Sequence, residues 1–547
     1  MAVEEIWPFQ DGPDTVSDFI YGAAVVSDSS FVVAGNSDGA WTGSNAGGYD
    51  FVAVKIASDG TVLWVWQEGS SEVDVIRAVV ALDDDSVIVA GYLLGTWNGM
   101  TAFGLADFVA VKLHSNGTTL WSWQEGTDKN DYIYCATGTA DGNVVLAGHT
   151  YGSWNEVHAG SFAAAAVKLD PDGTVLWRWQ VGTGGTGSVY IYASAGQLDG
   201  SVVLAGHTYG IWHGDIEPEE DTDFMAVALD EDGGELWRWQ AGSDGIDKLY
   251  AATAVANGSV VLAGYTTGSW SGINRGGWDF AAVKLDANGM EEWRWQDGTD
   301  EDDRWEAAAL GWDGSIILAG YTEGSWSTEN KGGKDMAALS LGTGGEQALW
   351  SYQEGTTGDD DINAATVTAD GAVLLAGWTD GSWTVTDSSS SADFAAVLLD
   401  TGAPAITPSP ATLKPAISPQ PTTLEPATIQ PSLVRPATIQ PSLVRPATIQ
   451  PSLDRPSPWS NAPVVPFASS SGSSAELDPR IVGGVAAVAA ALALTGVCMY
   501  RRRNATGTVA SPVTTEQEDV CYPQAVTPPS RPPPPPYTES PSYLSRL

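Results

Sequence analysis

The dipeptide Ala-Gly closes a short apolar run seven times within the first 400 residues of this chain. The seven glycines are separated by 56, 57, 58, 58, 56 and 57 residues. A period this constant indicates one supersecondary unit copied in tandem, which constrains the fold more than any local propensity does. The dipeptides are Ala34-Gly35, Ala90-Gly91, Ala147-Gly148, Ala205-Gly206, Ala263-Gly264, Ala319-Gly320 and Ala376-Gly377.

Each copy contains four short segments with the composition of β-strands. A full unit reads approximately YAAAV, GSVVLAGYT, DFAAVKLD and LWRWQ, with turn residues between the segments and no helical period. Four-stranded units repeated around an axis form a β-propeller. The sequence therefore predicts an all-β fold, a propeller of four-stranded blades.

The two ends of the repeat predict how the ring closes. The third-strand motif occurs seven times, and no fourth strand follows its last copy at Asp393–Asp400. A lone fourth strand, Ile6–Gln10, stands instead at the N-terminus. Pairing these two segments completes a seventh blade and removes the open sheet edges. We therefore expect a seven-bladed propeller over residues 1–402, closed by the N-terminal strand.

The repeat pattern resembles a known family of β-propeller repeats. The alternation of DFAAVKLD, a DG turn, an aromatic strand, an acidic Gly-rich loop and LAGYT is similar to the repeats called SBBP, found in bacterial and algal surface proteins. The resemblance covers about residues 4–400, and the Trp-rich WxWQ strand departs from it. It implies a propeller and an extracellular location, but no particular reaction.

Acidic residues dominate the first 400 positions. These positions hold 60 of the 68 Asp and Glu residues but only 14 of the 24 Lys and Arg residues, a net charge of about −46. Because nucleic-acid phosphates need basic partners, this composition argues against nucleic-acid binding. It suits a solvated acidic coat, and it can also hold divalent cations.

The composition changes abruptly after residue 402. Residues 403–480 are rich in Pro, Ser and Thr and repeat the decapeptide PATIQPSLVR, which predicts a disordered, semi-rigid stalk. The segment 481–500, Ile481–Tyr500, is uncharged and is followed by three arginines. Twenty helical residues span about 30 Å, and basic residues stay on the cytoplasmic side. We expect one transmembrane helix, an extracellular or lumenal propeller and a disordered cytoplasmic tail at 501–547.

This topology calls for a signal peptide, and the first residues do not resemble one. Met1–Ile6 has no basic or apolar segment, so we expect the natural chain to begin further upstream. Asn116 and Asn257 each begin an N-glycosylation sequon suited to an extracellular domain. The chain has only 3 cysteines and no disulfide framework, so burial alone must hold the ring together.

The connections between strands predict two unlike faces. First-to-second and third-to-fourth connections are tight DG or NG turns, whereas second-to-third and fourth-to-first connections are longer. The long loops share one face and carry a recurring GSW tryptophan and acidic residues. Binding on a rigid scaffold usually involves such loops. Candidate binding residues are Trp270 and Trp326 of the GSW loops and the blade-specific Trp278 and Trp305, with packing under the loop as the alternative for the GSW rings.

A carboxylate precedes the first strand in six of the seven units, and Ser188 takes its place in the other. Recurrence favours a structural role, such as accepting loop N–H groups. A ring of carboxylates near the axis is also a candidate calcium site. The six residues are Asp18, Asp74, Asp131, Asp247, Asp303 and Asp361.

Catalytic motifs are absent from the sequence. It contains no HExxH, GxSxG or phosphate-binding loop. His149 and His207 occupy the repeat position of Tyr265 and Tyr321, which indicates one packing site with different side chains. A paired-carboxylate glycosidase stays open, because such pairs leave no sequence signature.

The tail carries one recognition motif. Pro534, Pro535 and Tyr537 belong to a PPxY sequence, the ligand pattern of WW domains, within a Pro-rich tail. The sequence thus favours a membrane-anchored extracellular binding, adhesion or receptor-like protein for a glycan or protein partner. A membrane-tethered ectoenzyme acting on polysaccharide and a structural surface-coat protein are the alternatives.

Overall fold

The computed structural model describes residues 4–13, 16–154, 161–183, 187–212, 222–345, 347–383 and 392–402. These residues form 28 strands in seven antiparallel sheets of four strands each. The predicted seven-bladed propeller of four-stranded blades is therefore confirmed. We number the blades from 1 to 7 in chain order.

In blades 1 to 4 the strands follow one another in space as they do in sequence. Blade 1 contains β2 (Asp18–Val25), β3 (Phe31–Ser37), β4 (Asp50–Ile56) and β5 (Val62–Glu68). Blade 2 contains β6 (Asp74–Ala81), β7 (Val87–Leu94), β8 (Ala106–Leu113) and β9 (Thr119–Glu125). Blade 3 contains β10 (Asp131–Gly138), β11 (Val144–Thr150), β12 (Ala163–Leu169) and β13 (Val175–Val181). Blade 4 contains β14 (Val189–Gly196), β15 (Val202–Tyr209), β16 (Thr222–Leu229) and β17 (Glu235–Ala241).

Blades 5 and 6 repeat this order, and blade 7 takes its outer strand from the N-terminus. Blade 5 contains β18 (Asp247–Ala254), a short 3-10 helix (Ala256–Gly258), β19 (Val260–Thr266), β20 (Asp279–Leu285) and β21 (Glu291–Asp297). Blade 6 contains β22 (Asp303–Leu310), β23 (Ile316–Thr322), β24 (Asp335–Leu341) and β25 (Ala348–Glu354). Blade 7 contains β26 (Asp360–Val367), β27 (Val373–Thr379), β28 (Asp393–Asp400) and β1 (Glu4–Asp11).

The N-terminal strand closes the ring as the repeat predicts. β1 pairs antiparallel with β28, with Trp7 opposite Leu398 and Gln10 opposite Ala395. Phe9 of this strand is buried in the cluster that joins blades 7 and 1. Hydrogen bonds between the two ends of the repeat thus complete the last blade and leave β28 with a partner on each side.

The core lies between the blades rather than inside a single sheet. The second and third strands of each blade are buried along almost their whole length, because a neighbouring blade covers each face of the sheet. One such cluster joins Phe51 and Trp66 of blade 1 to Ile76 and Val111 of blade 2. This arrangement explains the uninterrupted apolar runs around each Ala-Gly pair.

Tryptophans of the outer strands join each blade to the next. Trp64 lies against Gly117, which has φ +83 in the next blade's third-to-fourth turn, and the Trp64 indole N–H donates to the Ser115 carbonyl at 3.0 Å. A Cβ at Gly117 would stand 2.8 Å from this ring, so the turn glycine serves both conformation and packing. Six such contacts occur among the described residues: Trp7 with Gly60, Trp64 with Gly117, Trp121 with Gly173, Trp177 with Gly233, Trp237 with Gly289 and Trp293 with Gly345.

A glutamine at the end of the outer strand holds the long loop of its own blade. In blade 5 the Gln296 side-chain oxygen accepts from the Trp270 backbone N–H at 2.8 Å. Its amide donates to the Gly268 carbonyl at 3.0 Å and to Asp279 at 2.8 Å. Gln67 and Gln353 make the same set of bonds in blades 1 and 6. The repeated Gln of WxWQ therefore organises the long-loop face.

Candidate functional site

The first strands of the blades surround the central channel. Each first strand contacts the first strands of both neighbouring blades, so these strands form a closed inner ring. Every one of them has a β-bulge at its fourth residue. A bulge directs a side chain away from the regular alternation of the strand. The bulged residues are Tyr21, Arg77, Tyr134, Tyr192, Tyr250, Glu306 and Asn363.

Contacts between these side chains run around the axis. The Arg77 guanidinium lies 4.1 Å from the Tyr21 ring centroid and 5.2 Å from that of Tyr134. The Tyr192 ring lies 4.8 Å from Tyr134 and 5.0 Å from Tyr250. The bulged residues stand near the start of the first strand, where the long fourth-to-first loops enter. We call this ring, with the second residue of each first strand, the channel mouth.

Blades 3 and 4 make one side of the channel mouth aromatic. His149 and His207 lie in register opposite Tyr132 and Tyr190, and each histidine stacks on a tyrosine, His149 on Tyr134 at 5.0 Å and His207 on Tyr190 at 4.8 Å. Burial lowers the pKa of His149 to about 3 and holds the pKa of His207 well below its ordinary value. Both imidazoles are therefore neutral at pH 7, and the predicted equivalence of these histidines with the tyrosines of other blades is confirmed.

Blades 5 to 7 make the other side charged. Arg304 lies 3.8 Å from the Tyr250 ring centroid and forms an ion pair with Glu306. Lys334 lies 4.0 Å from the Tyr321 ring centroid and 3.6 Å from the Asp361 carboxylate. Burial raises the pKa of Glu306, while Arg304 opposes this effect. Blades 5 to 7 thus contribute two ion pairs with aromatic neighbours, whereas blades 3 and 4 contribute tyrosines and histidines.

The charge of the channel mouth differs from that of the whole propeller. Residues 1–400 contain only 14 basic residues, and four of them stand at or beside this ring: Arg77, Lys248, Arg304 and Lys334. The repeat also loses its symmetry here, because the second and fourth residues of the first strand change from blade to blade. The channel mouth therefore combines aromatic surface with a few charged groups, the usual composition of a ligand site.

The GSW tryptophans predicted as binding candidates pack between blades. Trp270 is 6% exposed, and its ring meets Phe224 of the preceding blade edge-on at 5.1 Å. Trp326 is partly buried and meets Phe280 in the same way at 5.2 Å. Trp41, Trp97 and Trp154 repeat the contact with a phenylalanine of the preceding blade. The geometry of these rings corresponds to the packing alternative.

The two blade-specific tryptophans lie in different environments. Trp305 has no exposed surface and stacks on Phe280 at 3.7 Å, within the core between blades 5 and 6. It occupies the third residue of β22, which faces the blade interior, so a binding role from solvent does not fit its position. Trp278 is partly exposed and stacks on Tyr265 at 4.5 Å. Tyr265 in turn stacks on Tyr250, so Trp278 is continuous with the channel mouth.

Five of the six predicted carboxylates occupy one equivalent position in their blades. Asp18, Asp74, Asp131, Asp247 and Asp303 each begin a first strand. In blade 7 the equivalent residue is Asp360, which lies opposite Thr379 as Asp303 lies opposite Thr322. The prediction of Asp361 was therefore displaced by one residue, because blade 7 has consecutive aspartates. Asp361 instead takes the second position, beside Lys334 at the channel mouth.

Loop donors surround the oxygens of these aspartates. Asp74 accepts from the backbone N–H and hydroxyl of Ser70, and Thr127 makes the same pair of bonds to Asp131. Burial raises the pKa of Asp74 to about 7 and that of Asp131 to about 6. Within the described ranges, no group of three or more His, Cys, Asp or Glu side chains could hold a metal ion. The contacts seen are those of a loop anchor.

Several predicted features fall on other parts of the chain. The stalk, the span Ile481–Tyr500 and the motif with Pro534, Pro535 and Tyr537 lie outside the described residues. Among the residues that are described, no helix has the length and apolar character needed to cross a membrane. The sequon residues Asn116 and Asn257 are exposed on tight turns, on the face opposite the channel mouth.

Comparisons with known proteins find structural similarities but no matching sequence family. No family model and no curated protein matches the sequence, so the resemblance to SBBP repeats stays a prediction. The chain is similar in structure to the WD40 domain of Neurospora crassa Pan2, with 11% identity, 56% of this chain and 86% of that chain covered, and a TM-score of 0.33. It is also similar to Sqt1 from Chaetomium thermophilum, with 10% identity, 73% of this chain and 99% of that chain covered, and a TM-score of 0.38. A third similar structure is a mutant NanB sialidase from Streptococcus pneumoniae, with 10% identity, 72% of this chain and 70% of that chain covered, and a TM-score of 0.35.

Proposed function

We propose that this protein is a binding protein that captures an extracellular glycan or protein partner at the channel mouth. The observation that carries the proposal is the loss of symmetry there. Positions that hold the blades together repeat the same side chains around the ring, whereas Arg77, Tyr192 and Glu306 occupy one equivalent position with three chemistries. Packing of equivalent blades does not require such variation, but recognition of an asymmetric ligand does.

The surroundings of the channel mouth support this use. Tyrosine rings that are partly exposed offer flat apolar surface, and the charged side chains beside them offer orientation. Trp278 extends the aromatic surface outward along the long-loop face. Asn116 and Asn257 stand on the opposite face, so glycans attached there leave the channel mouth free.

In this proposal the propeller stands outside a membrane on the stalk 403–480 and is anchored by the segment 481–500. The supporting features are the uncharged stretch followed by arginines and the Pro-rich composition. A cytoplasmic WW-domain adaptor binds the PPxY motif of the tail. Membership of the SBBP-type surface proteins belongs to the same proposal.

One observation favours a second candidate, an ectoenzyme acting on polysaccharide. Glu306 and Asp361 are two neighbouring carboxylates at the channel mouth. Burial raises the pKa of Glu306, and the negative charge of Asp361 raises it further. Glycosidases use a pair of carboxylates, one of them with a raised pKa. Turnover of a polysaccharide that disappears in Glu306→Gln and in Asp361→Asn would favour this candidate over binding alone.

A glycan array probed with the full-length chain tests the proposed function. We expect binding of a defined subset of glycans by the wild-type protein and its loss in Tyr192→Ala, which removes a ring from the centre of the aromatic side. The matched control is Trp312→Ala, which removes a 41% exposed aromatic ring from a turn on the opposite face. Equal loss in both variants, or retention in Tyr192→Ala, would place the binding site elsewhere.

A further inference from the structure

Arg77 differs from Arg304 and Lys334 at the channel mouth because no acidic partner lies beside it among the described residues. In the described part of the chain, no carboxylate lies within ion-pair distance of its guanidinium, and its Nε makes no hydrogen bond. Arg304 and Lys334, by contrast, are paired with Glu306 and Asp361. Arg77 is partly buried, and a partly buried charge without a counter-charge needs an explanation.

Aromatic rings hold the Arg77 side chain at the channel wall. Its guanidinium lies 4.1 Å from the Tyr21 ring centroid, 5.2 Å from that of Tyr134 and 5.9 Å from that of Tyr92. Interaction with the Tyr92, Tyr21 and Tyr134 side chains opposes the effect of burial and raises the pKa of Arg77, which therefore stays charged. Stacking on aromatic rings limits the motion of a guanidinium and leaves its N–H edge for a carboxylate, which it binds with two parallel bonds.

The remaining wall of the channel mouth suits a sugar ring. Tyr134, Tyr192 and Tyr250 follow one another with centroid separations of 4.8 Å and 5.0 Å, and all three are partly exposed. The flat apolar face of a sugar packs on such rings. Glu306 and Asn363 continue the ring with groups that hydrogen-bond to hydroxyls.

We propose that the ligand of the channel mouth is an acidic carbohydrate whose carboxylate pairs with Arg77. This inference rests on the proposed function and gives it a ligand class. The ligand supplies the negative charge that no described residue places beside Arg77, and its sugar ring lies on the neighbouring tyrosines. Selectivity for acidic over neutral sugars then comes from one guanidinium inside a propeller that is otherwise strongly acidic.

Titration calorimetry with two matched probes tests this inference. The probes are trigalacturonate and its methyl ester, which keeps the sugar but removes the charge. We expect the full-length wild-type protein to bind the acid at least tenfold more tightly than the ester. Arg77→Gln should remove this difference by lowering the affinity for the acid alone. Arg77→Lys should keep part of the difference, because lysine retains the charge but cannot form the two parallel hydrogen bonds of a guanidinium.

Arg294→Gln is the matched control. Arg294 lies on the outer strand β21, stacks 3.7 Å from the Trp270 ring and pairs with Glu291, so its replacement removes the same charge far from the channel. We expect Arg294→Gln to bind like the wild type. Circular dichroism melting of each variant identifies any loss of binding that comes from unfolding, and Arg77→Lys is then read in place of an unfolded Arg77→Gln.

The possible results separate this inference from the proposed function. Equal affinity for acid and ester, both lost in Tyr192→Ala, would overturn the carboxylate inference and leave the channel mouth as the binding site. A folded Arg77→Gln that binds trigalacturonate like the wild type would also overturn it, as would no binding of trigalacturonate by the wild type. Preference for a galactose 6-sulfate oligosaccharide over trigalacturonate would replace the carboxylate with a sulfate.

Discussion

The outer parts of the blades and the channel mouth follow opposite rules. Near the rim, the same side chains recur around the ring, such as the Trp64–Gly117 contact and the Gln296 loop bonds. At the channel mouth the equivalent positions hold tyrosine, arginine, glutamate or asparagine. Repetition is what seven equivalent junctions between blades require. The side chains of the channel mouth vary because packing between the blades does not fix their identity. We propose that the ligand binds at this ring.

Removal of the closing strand should have the largest effect on the rim. Deletion of residues 1–12 exposes an edge of β28 and takes Phe9 from the cluster between blades 7 and 1. We expect the melting temperature in circular dichroism to fall by more than about 10 °C, or cooperative unfolding to be lost, as follows from a change of several kcal/mol. A melting temperature unchanged by the deletion would mean that the ring does not depend on its closure.

Substitutions of two blade-specific tryptophans should distinguish the core between blades from the channel mouth. Trp305→Ala empties a fully buried site beside Phe280 and should lower the free energy of unfolding by about 3–5 kcal/mol. Trp278→Ala removes a partly exposed ring and should cost about 1 kcal/mol or less, while weakening ligand binding. Denaturant titration and a binding assay on both variants measure the contrast. Similar losses of stability in both would contradict the distinction.

The loop glutamine should have an intermediate effect. Gln296→Leu leaves the Trp270 N–H and the Gly268 carbonyl without their partner and should lower the free energy of unfolding by about 2–3 kcal/mol. Denaturant titration measures this value. Gln124→Leu is a useful comparison, because the Gln124 side-chain oxygen has no hydrogen-bond partner among the described residues. Its cost should be smaller, and a larger one would argue against the proposed role of this glutamine.

The buried aspartates should make the propeller more stable in mild acid. Burial raises the pKa of Asp74 from an ordinary value of 3.8 to about 7, and that of Asp303 to about 6. Between these values the folded chain binds protons that the unfolded chain does not, so stability is highest below about pH 4 for these groups and is lost as the pH rises through 6 to 7. Buried His149 and His207, with lowered pKa values, act in the opposite direction, but six aspartates with raised pKa values outnumber them. The melting temperature should therefore be higher at pH 5 than at pH 8.

Asp74→Asn should flatten this dependence, because an amide cannot lose a proton at pH 8. Asp172→Asn, on an exposed turn, makes the same change of charge and should leave the slope close to that of the wild type. Melting curves from pH 5 to pH 8 compare the three proteins. A rise in stability from pH 5 to pH 8 in the wild type would contradict the assignment of buried, protonated aspartates.

The repeated features of the sequence predict the blades and the closure of the ring, but they do not reveal the channel mouth, whose residues differ between blades. The period of 56 to 58 residues and the lone strand at Ile6–Gln10 were sufficient for the blade number and the closure, because both are properties of a copied unit. The channel mouth escaped notice because its members lie far apart in the chain and meet only around the axis. A comparison of the second and fourth residues of the seven first strands would have found it, since their charge and polarity change from blade to blade while the third residue is always apolar.

Two of the candidate residues occupy other positions than the sequence suggests, for a related reason. Trp305 is absent from the equivalent positions of other blades, and rarity alone suggested a binding role, yet its strand position faces the interior. Asp361 was chosen by its distance from the repeat motif, whereas hydrogen-bond register assigns that position to Asp360. Trp278 stays a candidate binding residue, because its loop position leaves it partly exposed beside the channel mouth.

A paired comparison of affinity and stability tests the central distinction most directly. Tyr192→Ala changes the channel mouth, and Trp239→Ala changes the rim, where the Trp239 indole N–H donates to Glu291 at 3.0 Å. The measurement is the dissociation constant for the bound glycan together with the melting temperature of each full-length variant. We expect Tyr192→Ala to lose at least tenfold in affinity with a melting temperature near that of the wild type, and Trp239→Ala to lose melting temperature with its affinity unchanged below the transition. Unchanged affinity in a folded Tyr192→Ala, or weakened affinity in a folded Trp239→Ala, would contradict the assignment of binding to the channel mouth.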